Sequence, residues 1–203
     1  MYAPGSTFKM VVGLAALEAG IISEKSSFFC KGDMELGNAT FHCWRKGGHG
    51  RMNITSALEQ SCDVYFYELA LKTGIKRIRN MALRLGLGDV TGLDIPGEKS
   101  GIIPSHEWKL STHGKVWTPG ETVVAAIGQG YVLATPLQLA VMTARLANGK
   151  NCYGRPDSRE CSRLFYKIVN TPTEKHPHAI ERLLPFIEVF NIQKDKKLYL
   201  EFH

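Results

Sequence analysis

Ser6-Thr7-Phe8-Lys9 sets a hydroxyl and an amine three residues apart. On a helix, positions i and i+3 are neighbours on one face. A serine at a helix start meets outward-pointing backbone N–H groups and the positive end of the dipole. A nucleophilic serine needs a base within hydrogen-bond reach and donors for the oxyanion that forms on its target. Lys9 is the base in that reading, if burial or neighbouring cations favour its neutral amine. The same four residues also describe an ordinary N-cap serine with an exposed lysine one turn on, so the pair alone decides nothing.

A second set of reactive side chains follows. Five cysteines are present, Cys30, Cys43, Cys62, Cys152 and Cys161, and an odd number cannot be fully paired within one chain. The first three flank His49 in the order C-x12-C-x5-H-x12-C. Three thiols and one imidazole make a complete tetrahedral zinc set. The spacing is not that of a finger or ribbon, and buried free thiols or one disulfide account for the same residues. Zinc, free thiols and a disulfide all stay open.

These groups need elements to hold them. Residues 4–20 read as a helix entered at Pro4-Gly5, capped by Ser6 and stopped at Gly20. Phe8, Met10, Val11, Val12, Leu14 and Leu17 spread over nearly every face, so this helix belongs inside a larger body. Residues 26–52 read as irregular. A helix is expected from Asn53 or Ser56, with Ser56-Ala57-Leu58-Glu59 as a capping box, and a break at Ser61-Cys62-Asp63. Val64 to Gly74 and Ile75 to Leu85 read as two further helices. Residues 89–120 read as loop-rich, with turns at Asp94-Ile95-Pro96-Gly97 and Thr118-Pro119-Gly120. Glu121 to Ile127 fits a short helix. Thr135-Pro136-Leu137-Gln138 starts another that runs to Asn148-Gly149. Few strands are expected in the first 150 residues.

Composition excludes several classes. The 203 residues are 44% hydrophobic and 22% charged, unlike a disordered or collagenous chain. No uncharged apolar run approaches the roughly 20 residues of a membrane span. The net charge of +6 is scattered, densest at Lys76-Arg77, Arg79 and Lys196-Lys197, and reads as solvated helix faces. With no basic stripe and no recognisable module, nucleic-acid binding is not expected. Of 20 glycines, 19 lie between Gly5 and Gly149, so the chain changes character near residue 150.

Context gives the Ser6–Lys9 pair its meaning. Tyr2-Ala3-Pro4-Gly5-Ser6-Thr7-Phe8-Lys9-Met10 resembles the active-site segment of the penicillin-binding proteins, the D,D-transpeptidases that cross-link peptidoglycan. Ser61-Cys62-Asp63 fits the S-x-N/D motif of that family. Lys46-Gly47-Gly48-His49-Gly50, Gly128-Gln129-Gly130-Tyr131 and Thr135-Pro136-Leu137-Gln138-Leu139-Ala140 also look like family segments. Together they resemble the class B, elongation-type branch, over residues 2 to about 149.

The resemblance implies catalytic roles for Ser6 as acyl-forming nucleophile, Lys9 as its base, and Ser61 as proton relay to the leaving amine. Asp63 stands where most relatives have Asn, and would accept from Lys9 or from a substrate amide. The backbone N–H of Ser6 would be one oxyanion donor. Gly128, Gln129 and Gly130 are implied as substrate-binding. It also raises the metal reading for Cys30, Cys43, His49 and Cys62, because some elongation-type enzymes carry a structural zinc beside the second motif. No cofactor is needed for the chemistry itself. The implied partners are peptidoglycan stem peptides, β-lactam antibiotics and membrane proteins of cell elongation.

The third family motif, K-T-G on a core strand, is missing from residues 150–203. Lys72-Thr73-Gly74 spells it, but nine residues after Asp63 and inside a helical pattern. The fold expected is therefore an α-rich fragment of the α+β fold shared by serine β-lactamases and penicillin-binding transpeptidases, with most of its central antiparallel sheet absent. Residues 1–149 would be a partial transpeptidase domain and 150–203 a divergent tail. Impaired acyl transfer is the leading expectation. A non-catalytic or zinc-binding remnant and a serine β-lactamase or D,D-carboxypeptidase relative are the alternatives. The family is anchored in the inner membrane with a periplasmic domain. No export signal or anchor is legible in the chain as written, which predicts a cytoplasmic or unlocalised product.

Overall fold

The computed structural model describes residues 1–91 and 96–148. Cys152, Cys161, the tail readings and the Asn148-Gly149 cap lie outside them, in whole or part, as does the start of the Asp94–Gly97 turn.

A short 3-10 turn, Gly5–Phe8, runs straight into helix α1, Lys9–Glu18. The expected helix is there, but Ser6 does not cap it. The N-cap position is Pro4, with no side-chain cap bond, and Ser6 lies inside the tight first turn. That leaves its hydroxyl free to point away from the helix. Val11, Val12 and Ala16 of α1 are fully buried. Burying each such valine contributes roughly 1.5–3 kcal/mol.

Residues 26–52 are not irregular. They form β1 (Ser27–Cys30), β2 (Asp33–Leu36), β3 (Ala39–His42) and β4 (Gly50–Asn53). β2 and β3 make a hairpin in which Leu36 faces Ala39. Gly37 opens its two-residue loop with φ +59°, which a II′ turn requires. β1 pairs antiparallel with β4, Cys30 opposite Gly50. These strands are four residues long and mixed in burial, so no alternation announces them. Among the described residues the sheets are two-stranded and helices dominate. That is the α-rich form of the fold expected from the sequence.

Helix α2 (Ile54–Glu59) is capped by Asn53, whose side chain accepts from Ser56 N–H while Ser56 bonds back. The capping box thus sits three residues earlier than Ser56–Glu59. α3 (Asp63–Thr73) and α4 (Ile75–Arg84) follow as expected. On α4, Ile75, Ile78, Met81 and Ala82 face the core, while Lys76 and Arg77 are exposed, a solvated face as read.

Within the stretch read as loop, α5 (His106–His113) forms behind an N-cap from Ser105 to Trp108 N–H. α6 spans Pro119–Ala126 and α7 Pro136–Asn148. Lys109 of α5 is buried and donates to Val116 O at 2.9 Å and to the Glu121 carboxylate. Burial opposes ionisation of Glu121, yet hydrogen bonds from Lys109 and Thr118 hold its carboxyl below the usual carboxylate range. Fully buried Gln138 ties α7 to the preceding loop. Its amide donates to Asp89 O and Ser100 O, both at 2.7 Å, and accepts from Thr135 N–H at 2.9 Å.

α1 packs against α3 and α4, and α3 against α6. Ser6 enters this core from one end, at the start of α1. No described helix is long and apolar enough to cross a membrane.

Candidate active site

Two separated segments meet at the Ser6 turn, and a third adjoins them. First, Gly5 N–H donates to Gly128 O at 3.0 Å, and Tyr2 forms an antiparallel bridge with Ala134. The segment Gly128–Ala134 therefore lies along residues 2–5. Gly128 has φ +67°, and a Cβ there would stand 2.3 Å from Gly5 O. Only glycine permits that approach. Gln129 and Gly130 sit exposed just beyond, so the Gly128–Gly130 segment borders the serine as the sequence suggests.

Second, the break between α2 and α3 delivers Ser61 and Asp63. Ser61 N–H bonds to Leu58 O at 3.1 Å and Cys62 N–H to Ala57 O at 2.9 Å. These are the two bonds of a Schellman ending, whose left-handed residue is usually glycine. Here it is Ser61, at φ +52°, the lone non-glycine with positive φ among the described residues. An L-residue there costs roughly 1–2 kcal/mol. In return the side chain is thrown toward α1.

The resulting contacts are short and continuous. Ser61 Oγ donates to Ser6 Oγ at 3.0 Å. Lys9 Nζ donates to Ser61 Oγ at 3.0 Å, to Ser61 O at 3.0 Å and to Asp63 Oδ1 at 2.5 Å. Lys9 is 1% exposed and lies 5.8 Å from the Phe66 ring centroid. Ser6 and Lys9 share no direct hydrogen bond, so Lys9 stands one hydroxyl behind Ser6 rather than beside it. All three protons of an ammonium at Lys9 have acceptors. The apolar shell makes each of those bonds worth more than in water.

Third, residues 30–62 supply the thiols. Cys30, Cys43 and Cys62 are free and buried, and their sulfurs and a His49 nitrogen all lie within 4.8 Å of one another. His49 Nδ1 is 3.5 Å from Cys43 Sγ and 3.7 Å from Cys30 Sγ. A tetrahedral centre with bonds of about 2.3 Å to sulfur and 2.0–2.1 Å to nitrogen has S···N edges near 3.6 Å. The donor set and these two S···N distances therefore fit one tetrahedral ion. Burial, then the Arg45 guanidinium, push the His49 pKa down, which favours the neutral ring a metal needs. Burial is also the main cause that pushes the Cys62 thiol up. Close backbone contact builds the pocket: a Cβ at Gly48 would meet Cys30 O at 2.3 Å. Cys62 is the N-cap residue of α3, between Ser61 and Asp63, so the thiol cluster adjoins the serine relay.

Trp44 escaped the sequence reading. Its backbone N–H donates to Asp63 Oδ2 at 2.9 Å, and its indole N–H to Ser61 O at 3.0 Å and Gln60 O at 3.2 Å. Nothing in the spacing from Trp44 to Ser61 signals this. The remaining candidates are structural. Thr73 of Lys72-Thr73-Gly74 is buried at the end of α3 and donates to Leu69 O, so that triplet is part of a helix. Trp117 packs in the core with its indole N–H on Thr122 Oγ1 at 2.8 Å. His113 packs its ring against Tyr131, 5.0 Å between centroids.

The chain is similar to known proteins over most of its length. Residues 1–154 match the penicillin-binding protein transpeptidase domain. The chain is 40% identical over 153 residues to the peptidoglycan D,D-transpeptidase MrdA of Salmonella typhimurium, covering 74% of this chain and 25% of that protein. It is 42% identical over 154 residues to MrdA of Acinetobacter baumannii, covering 73% and 22%. The chain thus spans about a quarter of the length of the curated relatives it matches. Among solved structures it resembles PBP2 of Pseudomonas aeruginosa in complex with WCK 5153, with a TM-score of 0.70 and 47% identity over 73% of this chain and 34% of that one. PBP2 of Helicobacter pylori gives 0.75 and 35%, over 83% and 34%. Helicobacter pylori PBP2 in complex with MreC gives 0.72 and 37%, over 82% and 33%.

Proposed function

Because the chain belongs to the penicillin-binding protein transpeptidase family, we propose that it carries the acylation machinery of a peptidoglycan D,D-transpeptidase. The observation that carries this reading is the unbroken line Ser6 Oγ–Ser61 Oγ–Lys9 Nζ, 3.0 Å at each step. Ser6 attacks the carbonyl carbon of a D-Ala-D-Ala stem peptide. Its proton passes to Ser61, whose own proton goes to an unprotonated Lys9 amine. The Ser6 O–C bond forms, the peptide C–N bond breaks, and the amine of the terminal D-alanine leaves with a proton returned through Ser61. A second stem peptide's amine then attacks the acyl-enzyme and frees Ser6. Asp63 stabilises the lysine while it is charged, and the Ser6 backbone N–H serves the developing oxyanion. β-Lactams enter by the same attack and stay as the acyl-enzyme.

One sequence fact favours a second reading. No K-T-G occurs in residues 150–203, and the triplet at 72–74 ends a helix. In the second reading residues 1–203 take no acyl group. A fluorescent penicillin separates the two. Labelling that disappears in Ser6→Ala is the expected result. A folded wild-type chain that takes no label is a non-catalytic remnant.

Zinc is the ion we assign to Cys30, Cys43, His49 and Cys62. Three thiolates and one imidazole suit it, and its role would be to fix the loop that carries Ser61 and Asp63. Purified chain is expected to hold one zinc ion. A chelator should lower the melting temperature by about 10 °C, the scale of a ligand present at about a thousandfold its Kd. Three thiols that titrate freely in the untreated protein would end the assignment. By the likeness to PBP2 in complex with MreC, membrane proteins of cell elongation are the proposed partners.

A further inference from the structure

Trp44 is 64% exposed, an unusual place for the largest side chain, yet it is tied down at three points. Its indole N–H reaches the carbonyl of Gln60, the C-cap of helix α2, and that of Ser61 just beyond it. Such terminal carbonyls have no partner within the helix. Its main-chain N–H reaches Asp63 Oδ2, leaving Oδ1 for Lys9. The ring lies edge-on to His49 at 5.2 Å between centroids. Every one of these bonds ends on the segment 60–63. That segment contains the left-handed Ser61, the strained residue whose hydroxyl links Ser6 to Lys9.

A strained residue persists only where its surroundings over-determine it. For Ser61 those surroundings are the two Schellman bonds on one side, and Lys9 and Trp44 on the other. The Ser61 carbonyl is held between the Lys9 ammonium and the Trp44 indole, each at 3.0 Å. Lys9 must change its own bonds when it moves a proton. Trp44 carries no ionisable group, so its grip on Ser61 is constant through the cycle.

We propose that Trp44 is a positioning residue: its indole N–H holds the Gln60 and Ser61 carbonyls, and so keeps the Ser61 hydroxyl between Ser6 and Lys9. This rests on the acyl-transfer reading of Ser6, Lys9 and Ser61. Trp44→Phe removes the indole donor, keeps an aromatic ring beside His49 and leaves the main-chain bond to Asp63.

Two measurements on the full chain test it. The first follows acylation by a fluorescent penicillin, with the rate constant at saturation separated from the dissociation constant. The second follows amide hydrogen exchange of residues 57–63. In Trp44→Phe the acylation rate constant should fall about tenfold, and the dissociation constant should stay within about twofold, because positioning acts on the reacting geometry. The amides of Ser61 and Cys62 should exchange about tenfold faster. An unchanged rate constant, or a loss wholly in the dissociation constant, overturns the proposal. If the wild-type chain takes no label, the acyl-transfer reading fails. The exchange arm then decides alone: faster exchange at Ser61 and Cys62 keeps the holding role of Trp44, and unchanged exchange removes it.

Discussion

Lys9→Met should lower the second-order rate constant for acylation by a penicillin about 10²–10⁴-fold, the range of a lost general base. Methionine matches the length of the lysine stem and suits the buried position beside the Phe66 ring, so the change isolates the amine. Without Nζ the Ser61 hydroxyl has no group to pass a proton to, and Ser6 is left with an ordinary alcohol's reactivity. The change has a structural cost as well. Asp63 loses its ion pair but keeps the Trp44 N–H, and its side chain is 14% exposed. Stranding a mostly buried carboxylate costs about 3 kcal/mol. The double change Lys9→Met with Asp63→Asn removes the stranded charge. It should recover most of that stability and none of the acylation rate, as read by thermal melting and by labelling in parallel. Acylation within tenfold of wild type in a folded Lys9→Met protein would place the base elsewhere.

Much of this site could be read from the chain, because its parts are local patterns. Ser6 and Lys9 sit one turn apart on a helix whose apolar residues announce burial. Gly128-Gln129-Gly130 and the Thr135–Gln138 cap are short, self-contained signals, and the four metal-type donors are rare residue types. What escaped was set by tertiary contact. The β1–β4 strands are four residues each, too short for alternation to show. Helix α5 hides in a run rich in histidine and tryptophan, and its signal is only the Ser105 cap. Ser6 reads as an N-cap by propensity, but the Gly5–Gly128 contact tightens the first turn and Pro4 takes the capping position. Ser61 looks like any helix-break serine, and its left-handed backbone follows from the ending in which its N–H meets Leu58 O and the Cys62 N–H meets Ala57 O. Trp44 is 17 residues from Ser61, and only the fold of β3 and β4 brings its indole there. Sequence proximity picked out the residues, and long-range packing set their order, with Ser61 between Ser6 and Lys9.

Gly128→Ala is expected to be the most damaging single methyl group in the described residues around Ser6. The backbone there has φ +67°, which costs an L-residue roughly 1–2 kcal/mol. The new Cβ would also lie 2.3 Å from Gly5 O, 2.8 Å from Gly5 N and 2.9 Å from Phe8 Cβ. Two of those three atoms are backbone, so no rotamer change relieves the clash. The chain must separate, which breaks the Gly5–Gly128 hydrogen bond and strains the neighbouring Tyr2–Ala134 bridge. Overpacking of this kind costs a further 1–3 kcal/mol or so, giving about 2–5 kcal/mol in all. At about 2–4 °C per kcal/mol, the melting temperature should drop by about 4–20 °C. Function should suffer more than stability. Gly5 immediately precedes Ser6, the proposed nucleophile, and a displacement near 1 Å at a reacting group costs about 10²-fold in rate. Gly120→Ala is the control, because its Cβ would meet only Phe41 Cζ, at an ordinary 3.6 Å. It should melt and take up penicillin as the wild type does. If Gly128→Ala behaved like Gly120→Ala, the close pairing of the Gly128 segment with the Ser6 turn could not be what fixes the serine.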